Sequence, residues 1–192
     1  MLDHAPPAEV DDLFAAMVGE HGDRMFSTAL RLTGRRADAE DLTAEAFLRA
    51  YRSLCGFDAE RLRTLRVGAW LSTILVNEWR NQLRTASRRP VVAPTIDSDR
   101  SDVVDDRPGV ELLVEGHEAG RALAAMLVTL PPRQREAVVL HYIGDLSVGD
   151  VAEVMGCPAG TVRSHISRGL AVLRATGATD PDSGRVQRGV PS

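Results

Sequence analysis

Hydrophobic and polar residues alternate with the period of α-helices along most of the chain. Apolar residues three or four positions apart predict two short helices over 9–19 and 23–33, the second ended by Gly34. The same spacing predicts further helices over residues 38–54, 66–87, 110–130 and 133–142. Alternating strand patterns are nearly absent and aromatic residues make up only 4% of the chain. The pattern therefore predicts an all-α protein.

Two segments interrupt the helical pattern and divide the chain of 192 residues. Residues 91–117 are rich in proline and aspartate, a composition typical of a flexible linker. Residues 177–192 have the composition of a disordered tail. We therefore expect a short tail at 1–9 and two small helical domains, 10–90 and 118–176, joined by the acidic linker.

The charges are segregated along the sequence. The net charge is −4, yet residues 61–89 hold seven arginines against one acid, Glu78. Residues 157–176 hold three arginines and no acid, and every basic residue of the chain is arginine. GC-rich codon usage explains arginine in place of lysine but does not explain the segregation. The two basic segments indicate DNA binding by a protein that also has an acidic, protein-facing side.

Several classes of protein are disfavoured by composition. No stretch approaches the roughly 20 apolar residues of a membrane span, and the N-terminus lacks the basic and apolar regions of a secretory signal. Two cysteines, Cys55 and Cys157, form neither a disulfide framework nor a zinc pattern. No phosphate-binding loop or catalytic motif is present. We expect a cytoplasmic protein that is not an enzyme, needs no metal or cofactor and does not insert into a membrane.

The strongest local signal is a helix-turn-helix between residues 147 and 174. Ser147 followed by Asp150 is a variant capping box that opens a short helix, and Gly156 supplies the turn. Pro158 suits the first turn of the second helix. That helix has one apolar stripe, made of Val162, Ile166, Leu170 and Leu173. Its opposite side predicts contacts with base edges and phosphates of duplex DNA through Thr161, Arg163, Ser164, His165, Ser167 and Arg168. A helical hairpin that packs against protein is the alternative.

The helix over 38–54 has a mixed outer face. We expect its inner side to bury Thr43, Phe47, Ala50, Tyr51 and Leu54. The other side presents Asp41, Glu45, Leu48, Arg49 and Arg52. An exposed leucine is ordinary by itself, but this one lies among charges like an anchor within a polar rim. The pattern favours a protein contact.

The helix over 66–87 has an apolar stripe made of Leu71, Leu75, Val76, Trp79 and Leu83. Its other side collects Trp70, Thr73, Asn77, Arg80, Asn81, Arg84 and Arg88. Amides, arginines and an aromatic ring suit single-stranded or melted DNA. Two alternatives remain: the indole of Trp70 packs on a neighbouring helix, and the arginines form a solvated face.

Together these segments resemble a known family. The stretches RLTGRRADAEDLTAEAFLRAYRSL and AWLSTILVNEWRNQLR resemble region 2 of the extracytoplasmic-function (group 4) bacterial sigma factors. The stretch LPPRQREAVVLHYIGDLSVGDVAEVMGCPAGTVRSHISRGLAVLR resembles their region 4. Their order and the linker between them make the resemblance specific.

The resemblance implies a promoter-specificity subunit of RNA polymerase. It implies that the helix of Asp41 and Glu45 docks on the β′ clamp helices of core polymerase. It further implies that the helix around Asn77 captures the melted −10 element, that helix 158–174 reads the −35 element, and that region 4 meets the β flap. Polymerase would supply catalysis. An anti-sigma factor is an implied partner that could hold the chain at the membrane, and promoter DNA is the implied ligand.

Two rival functions share parts of these patterns. A two-domain helix-turn-helix regulator would bind duplex DNA without being a polymerase subunit, and an adaptor would bind only protein. The linker carries one further expectation. Its excess of aspartate would fold back on the arginine segments and reduce nonspecific DNA binding at low salt.

Overall fold

The computed structural model describes residues 7–88 and 122–177, with side chains described for 10–86 and 122–176. The helices are α1 (Pro7–Thr33), α2 (Arg36–Leu54), α3 (Ala59–Thr64), α4 (Val67–Arg88), α5 (residues 122–128), α6 (Pro132–Tyr142), α7 (Val148–Met155) and α8 (Ala159–Gly177). No strand occurs in these two ranges, which confirms the all-α prediction. The predicted linker at 91–117 and the tail beyond residue 177 lie outside the described residues.

The first helix corrects one prediction, because α1 is continuous where two short helices were expected. Gly19 and Gly22 lie within it, and nothing comes within 4 Å of a Cβ placed on either one. Each glycine costs an exposed helix about 1 kcal/mol relative to alanine. Met17 and Met25 are buried on either side of them, and this packing holds the helix together across the weak segment.

Gly34 ends α1 as predicted. Its φ is +78°, a left-handed conformation that favours glycine, and its amide donates to the Leu30 carbonyl at 2.8 Å. The buried face of α2 is rotated slightly from the predicted one, since Thr43, Phe47 and Tyr51 are only half-buried. The fully buried residues of α2 are Ala39, Leu42, Ala46, Ala50 and Leu54. Three of these are alanines, whose small side chains allow the neighbouring helices to approach closely.

The basic helix α4 buries most of its predicted stripe. Leu71, Leu75, Val76 and Trp79 are at most 2% exposed, whereas Leu83 is 37% exposed and does not belong to the core. The short helix α3, which was not predicted, precedes α4. Its N-cap is Asp58, whose side chain accepts a hydrogen bond from the amide of Arg61 at 2.8 Å.

The C-terminal helices form the predicted helix-turn-helix. The Ser147 hydroxyl accepts a hydrogen bond from the Asp150 amide at 3.1 Å and so caps α7. Gly156 takes a left-handed conformation, with a φ of +63°, and turns the chain toward α8. The predicted stripe of α8 lies inward, with Val162 fully buried and Ile166 8% exposed. The capping and turn residues in the sequence therefore predicted this motif correctly.

The two halves of the chain, residues 7–88 and 122–177, pack against each other. One continuous apolar cluster includes Leu32 and Trp79 of the first half and Leu127, Val139 and Val162 of the second. The approach is close at Gly34, where a Cβ would lie 2.6 Å from a methyl of Val128. We call the surface between the halves the junction. It brings α6 and α7 against α1 and α4.

Candidate protein and nucleic-acid interfaces

The outer face of α2, defined by Asp41, Glu45, Leu48, Arg49 and Arg52, is accessible. Leu48 is 42% exposed, and the charged side chains around it are exposed or half-buried. Arg49 donates from Nε to Glu45 at 2.9 Å and also lies 2.8 Å from Glu78 of α4. Leu48 is therefore exposed among charged side chains in the folded chain, as predicted. Arg49 is already paired with two carboxylates, those of Glu45 and Glu78.

The contact between Arg49 and Glu78 was missed by the sequence analysis. The Glu78 side chain is only 13% exposed, although Glu78 was noted only as the single acid in a basic segment. The two residues are 29 positions apart in the chain, so no local spacing signals their pairing. Arg49 thus joins the α2 outer face to α4.

The polar side of α4 is partly open. Asn77 and Arg84 are exposed, whereas Asn81 is half-buried. The Asn77 side-chain oxygen accepts a hydrogen bond from Arg80 at 3.3 Å, and the Asn81 oxygen accepts one from Arg84. Each amide is thus oriented by an arginine one turn further along the helix. Arg88 ends α4, and its side chain lies outside the described residues.

Arg80, one of the predicted DNA-binding residues, is occupied by a protein carboxylate. Its guanidinium pairs with Glu136 of α6 across the junction, with Nε 3.4 Å from Oε2 and a closer contact from Nη2 to Oε1. The Arg80 side chain is 23% exposed and that of Glu136 is 1% exposed. The Arg80 guanidinium is thus bound to Glu136 in this arrangement, and its contact with DNA stays a prediction.

The environment of Glu136 combines burial with two arginines. Arg133 of the same helix also lies 3.4 Å from the Glu136 carboxylate. Burial raises the pKa of Glu136 above its ordinary value, while the hydrogen bond and charge of Arg80, followed by those of Arg133, oppose the rise. The Glu136 carboxylate is therefore paired with two arginines, but its burial makes the ionised form unfavourable.

Trp70 follows the packing alternative. Its ring is half-buried, and its centroid lies 5.6 Å from that of Phe57 in a tilted arrangement. It also borders both apolar clusters, the one that both halves share and the smaller one around Val10, Met17 and Leu54. One side of the indole is therefore used for packing, and the role of Trp70 in binding the −10 element stays a prediction.

The outer face of α8 contrasts with that of α4. Thr161, Arg163, Ser164, Ser167 and Arg168 are all exposed. His165 is half-buried, and its Nδ1 has no hydrogen-bond partner among the described atoms. The described part of α8 contains no acidic residue. The helix therefore presents arginines and hydroxyls on a rigid support, a combination that suits phosphates and base edges.

Other kinds of site have no support in the part of the chain that the structure describes. No group of three or more histidine, cysteine or acidic side chains is placed to hold a metal there. None of the described helices has the length and apolar character needed to cross a membrane.

Comparison with protein families gives two matches in the expected order. Residues 17–89 match sigma-70 region 2, and residues 120–173 match sigma-70 region 4. The first range contains the α2 outer face and the polar side of α4, and the second contains the helix-turn-helix.

Named relatives point the same way. The chain is 37% identical over 158 residues to the ECF RNA polymerase sigma factor SigE of Mycolicibacterium smegmatis; the match covers 82% of this chain and 59% of that relative. It is 29% identical over 168 residues to the ECF RNA polymerase sigma factor SigW of Bacillus subtilis, covering 85% of this chain and 88% of SigW. It is 32% identical to the ECF RNA polymerase sigma-E factor of Haemophilus influenzae over 83% of this chain and 85% of that relative.

Solved structures share the fold. CnrH in complex with the cytosolic domain of CnrY is similar with a TM-score of 0.63 at 24% identity, covering 88% of this chain and 90% of CnrH. The sigma factor RpoE in complex with the anti-sigma factor NepR from Bartonella quintana gives a TM-score of 0.64 at 24% identity, covering 87% and 98%. With both sigma regions matched and relatives above 30% identity over most of their length, the chain belongs to the ECF RNA polymerase sigma factors of the sigma-70 family.

Proposed function

We propose that this sigma factor divides promoter recognition between α4 and α8 and binds core polymerase through the α2 outer face. The observation that carries the proposal is the open, acid-free face of α8 on a capped helix-turn-helix. Its exposed arginines match the needs of duplex recognition at the −35 element. Because sigma factors act at promoters, we propose that this duplex is promoter DNA. A two-domain regulator that works without polymerase is not favoured, because the chain matches both sigma regions.

The α4 surface is proposed to hold the melted −10 element. Asn77 and Asn81 offer amide groups to base edges, and Arg84 lies one turn beyond them on the exposed end of the helix. Amides and arginines on one helix face are suited to an unpaired strand, whose bases expose their hydrogen-bonding edges. Arg80 joins this surface only when its contact with Glu136 is released.

The α2 outer face is proposed to dock on the β′ clamp helices, and the C-terminal half on the β flap. Leu48 supports this, since a 42% exposed leucine among charged residues matches the apolar centre and polar rim of a protein interface. We expect Leu48→Asp to weaken core binding by about 1–3 kcal/mol. Its matched control is Val18→Asp on α1, which changes a similarly exposed apolar residue outside the proposed contact.

Further aspects of the function rest on the family. We propose that residues 10–90 and 118–176 act as the two functional regions of the chain, joined by the segment 91–117, and that the chain works in the cytoplasm. We also propose an anti-sigma factor as a partner, because a fold neighbour was solved with one. The catalytic step of transcription is assigned to polymerase and not to this chain.

The experiment is transcription reconstituted from the purified chain and bacterial core polymerase on a set of candidate promoters. We expect specific transcripts only when both components are present, and fewer of them with Leu48→Asp than with Val18→Asp. The proposal would be contradicted if the chain bound duplex DNA tightly and specifically but stimulated core polymerase on no promoter. That result would favour the two-domain helix-turn-helix regulator instead.

A further inference from the structure

The α2 outer face and the polar side of α4 are connected by one ion pair. Helix α2 packs along α4, and the residues that α2 adds to the large apolar cluster include three small ones, Ala39, Ala46 and Ala50. Across this contact the described residues show a single ion pair, in which Nε of Arg49 lies 2.8 Å from Oε2 of Glu78. The described polar link between the two helices therefore depends on this pair.

Glu78 has a charge that is unfavourable for the surface on which it lies. It is the only acid among residues 61–89, which hold seven arginines. It directly follows Asn77 and lies three positions before Asn81, a spacing at which helical side chains are about 5–6 Å apart. Both asparagines belong to the surface proposed for the −10 strand. An unpaired carboxylate there would repel the phosphates of a bound strand, because like charges a few ångströms apart interact even in water.

Arg49 supplies the opposite charge in a fixed position. Its Nε donates a hydrogen bond to Oε1 of Glu45, one turn earlier in α2, at 2.9 Å. The same nitrogen lies against Glu78, so the guanidinium is held between one carboxylate from each helix. The Glu78 side chain is 13% exposed and that of Arg49 is 50% exposed. Because a partly buried pair is screened less by salt than an exposed one, Arg49 neutralises Glu78 effectively.

We infer that Arg49 is a positioning residue for the −10 strand and acts through Glu78. It cancels the charge of the one acid in the basic segment 61–89 and holds that carboxylate against α2. Arg49 thereby couples the α2 outer face to the strand-binding surface of α4 without touching DNA. This role is separate from the contact with polymerase proposed for the same face. The inference rests on the proposed function of α4.

The inference predicts that the two partners of the pair have different effects when each is neutralised. Arg49→Gln leaves Glu78 without its described partner, so the strand meets an uncompensated acid. Glu78→Gln removes that acid and leaves Arg49 bound to Glu45. Adding Glu78→Gln to Arg49→Gln should therefore restore strand binding. A double-mutant cycle measures this coupling directly.

Each substitution has a control with the same change of charge on α3. Arg63→Gln matches Arg49→Gln, and Glu60→Gln matches Glu78→Gln. Arg63 and Glu60 are both exposed. Salt provides a second control, because repulsion by an uncompensated charge weakens as ionic strength rises, whereas a displaced helix would impair binding at every salt concentration.

The experiment uses the full-length chain assembled with bacterial core polymerase. A fluorescent single-stranded oligonucleotide with the −10 region of a promoter that this enzyme transcribes reports strand affinity. The affinity of each variant for core polymerase is measured separately, so that every strand assay contains fully assembled enzyme. Helical circular dichroism reports that each variant is folded.

We expect a specific pattern of strand affinities at about 0.05 M salt. Arg49→Gln should bind at least about threefold more weakly than wild type, beyond any loss in Arg63→Gln. Glu78→Gln should stay within about twofold of Glu60→Gln, and the double variant within about twofold of wild type. The ratio between wild type and Arg49→Gln should shrink as salt is raised toward about 0.5 M.

The remaining outcomes separate this inference from the proposed function. A loss in Arg49→Gln that Glu78→Gln does not restore, or that is independent of salt, overturns the inference. Equal strand affinities of Arg49→Gln and Arg63→Gln also overturn it. A loss of core affinity that persists in the double variant while strand affinity recovers supports it, and assigns the polymerase contact to Arg49 itself. If wild-type enzyme does not bind the strand, the role proposed for α4 is wrong and the inference fails with it.

Discussion

Helices α4 and α8 both present arginines and small polar side chains, but their surroundings differ. The predicted residues of α8 are exposed apart from the half-buried His165, and no described acid pairs with its arginines. On α4, Arg80 is held by the buried Glu136 and Trp70 packs beside Phe57. The same residue types therefore have different availability. A charged residue in a sequence indicates a capacity for binding, and the tertiary contacts decide whether that capacity is used by a ligand or by the chain itself.

The largest expected effect tests whether the two halves are one cooperative unit. Leu32 is fully buried in the cluster that both halves share, so Leu32→Ala should lower the free energy of unfolding by about 2–5 kcal/mol. Urea denaturation followed by tryptophan fluorescence measures it, with Trp79 as a buried probe in the same cluster. The control Val18→Ala on the same helix should stay within about 0.5 kcal/mol. A loss below about 1 kcal/mol for Leu32→Ala would mean that the shared cluster contributes little.

A second prediction concerns α8 alone. Arg163→Ala or Arg168→Ala should weaken duplex binding by about 1–3 kcal/mol if the arginine reads a base, with relaxed preference at one position of the site. A lost phosphate contact should instead weaken binding to all sequences and reduce the salt slope by about one. Duplex affinities at several salt concentrations distinguish the two, with Arg63→Ala as control. If neither arginine changes sequence preference or salt slope, the α8 face is not the duplex surface.

The part of the structure that sequence reasoning predicted well is the part defined by local signals. The Ser147 cap, the left-handed Gly156 and the stripe through Val162 depend on residues within a few positions of each other. Gly34 is another local signal, and it ended α1 where expected. These features follow from backbone conformation and hydrogen bonding, which a sequence spacing reports directly.

The features that were missed depend on contacts between distant segments. The pairing of Arg80 with Glu136 spans 56 positions, and neither residue carries a local sign of it. The continuity of α1 through Gly19 and Gly22 is similar, because it depends on packing against other helices and not on helix propensity. Exposure of the α2 outer face was predicted correctly, but its link to Glu78 through Arg49 was not. The proposed partners of each face stay predictions.

A smaller effect is expected from the cap of α7. Ser147→Ala removes the acceptor for the Asp150 amide and should cost about 0.5–2 kcal/mol of stability. Because the cap supports the helix-turn-helix, duplex binding should fall with it. Thermal unfolding and duplex affinity check this, with Ser53→Ala as a control expected within about 0.5 kcal/mol. Unchanged stability and unchanged duplex binding in Ser147→Ala would contradict the role of the cap.

The smallest effect is the pH dependence of the junction. Burial raises the pKa of Glu136 above its unfolded value near 4.5, so the folded chain binds this proton more tightly than the unfolded chain does. The resulting stabilisation is fully present below the unfolded pKa and is lost as the pH rises through the folded one. We therefore expect the wild type to gain stability relative to Glu136→Gln as the pH is lowered from 7 toward 4.5. Urea denaturation of both proteins measures the difference, and the opposite trend would show that Arg80 and Arg133 outweigh burial.

The most direct test of the division between α4 and α8 is a footprint of polymerase carrying the sigma factor on one promoter, combined with permanganate reactivity of unpaired thymines. Asn77→Ala and Asn81→Ala should preserve protection of the −35 element and lose permanganate reactivity around −10. Arg163→Ala and Arg168→Ala should weaken −35 protection itself. Normal melting with the asparagine variants, together with arginine variants that bind normally but fail to melt, would contradict the account.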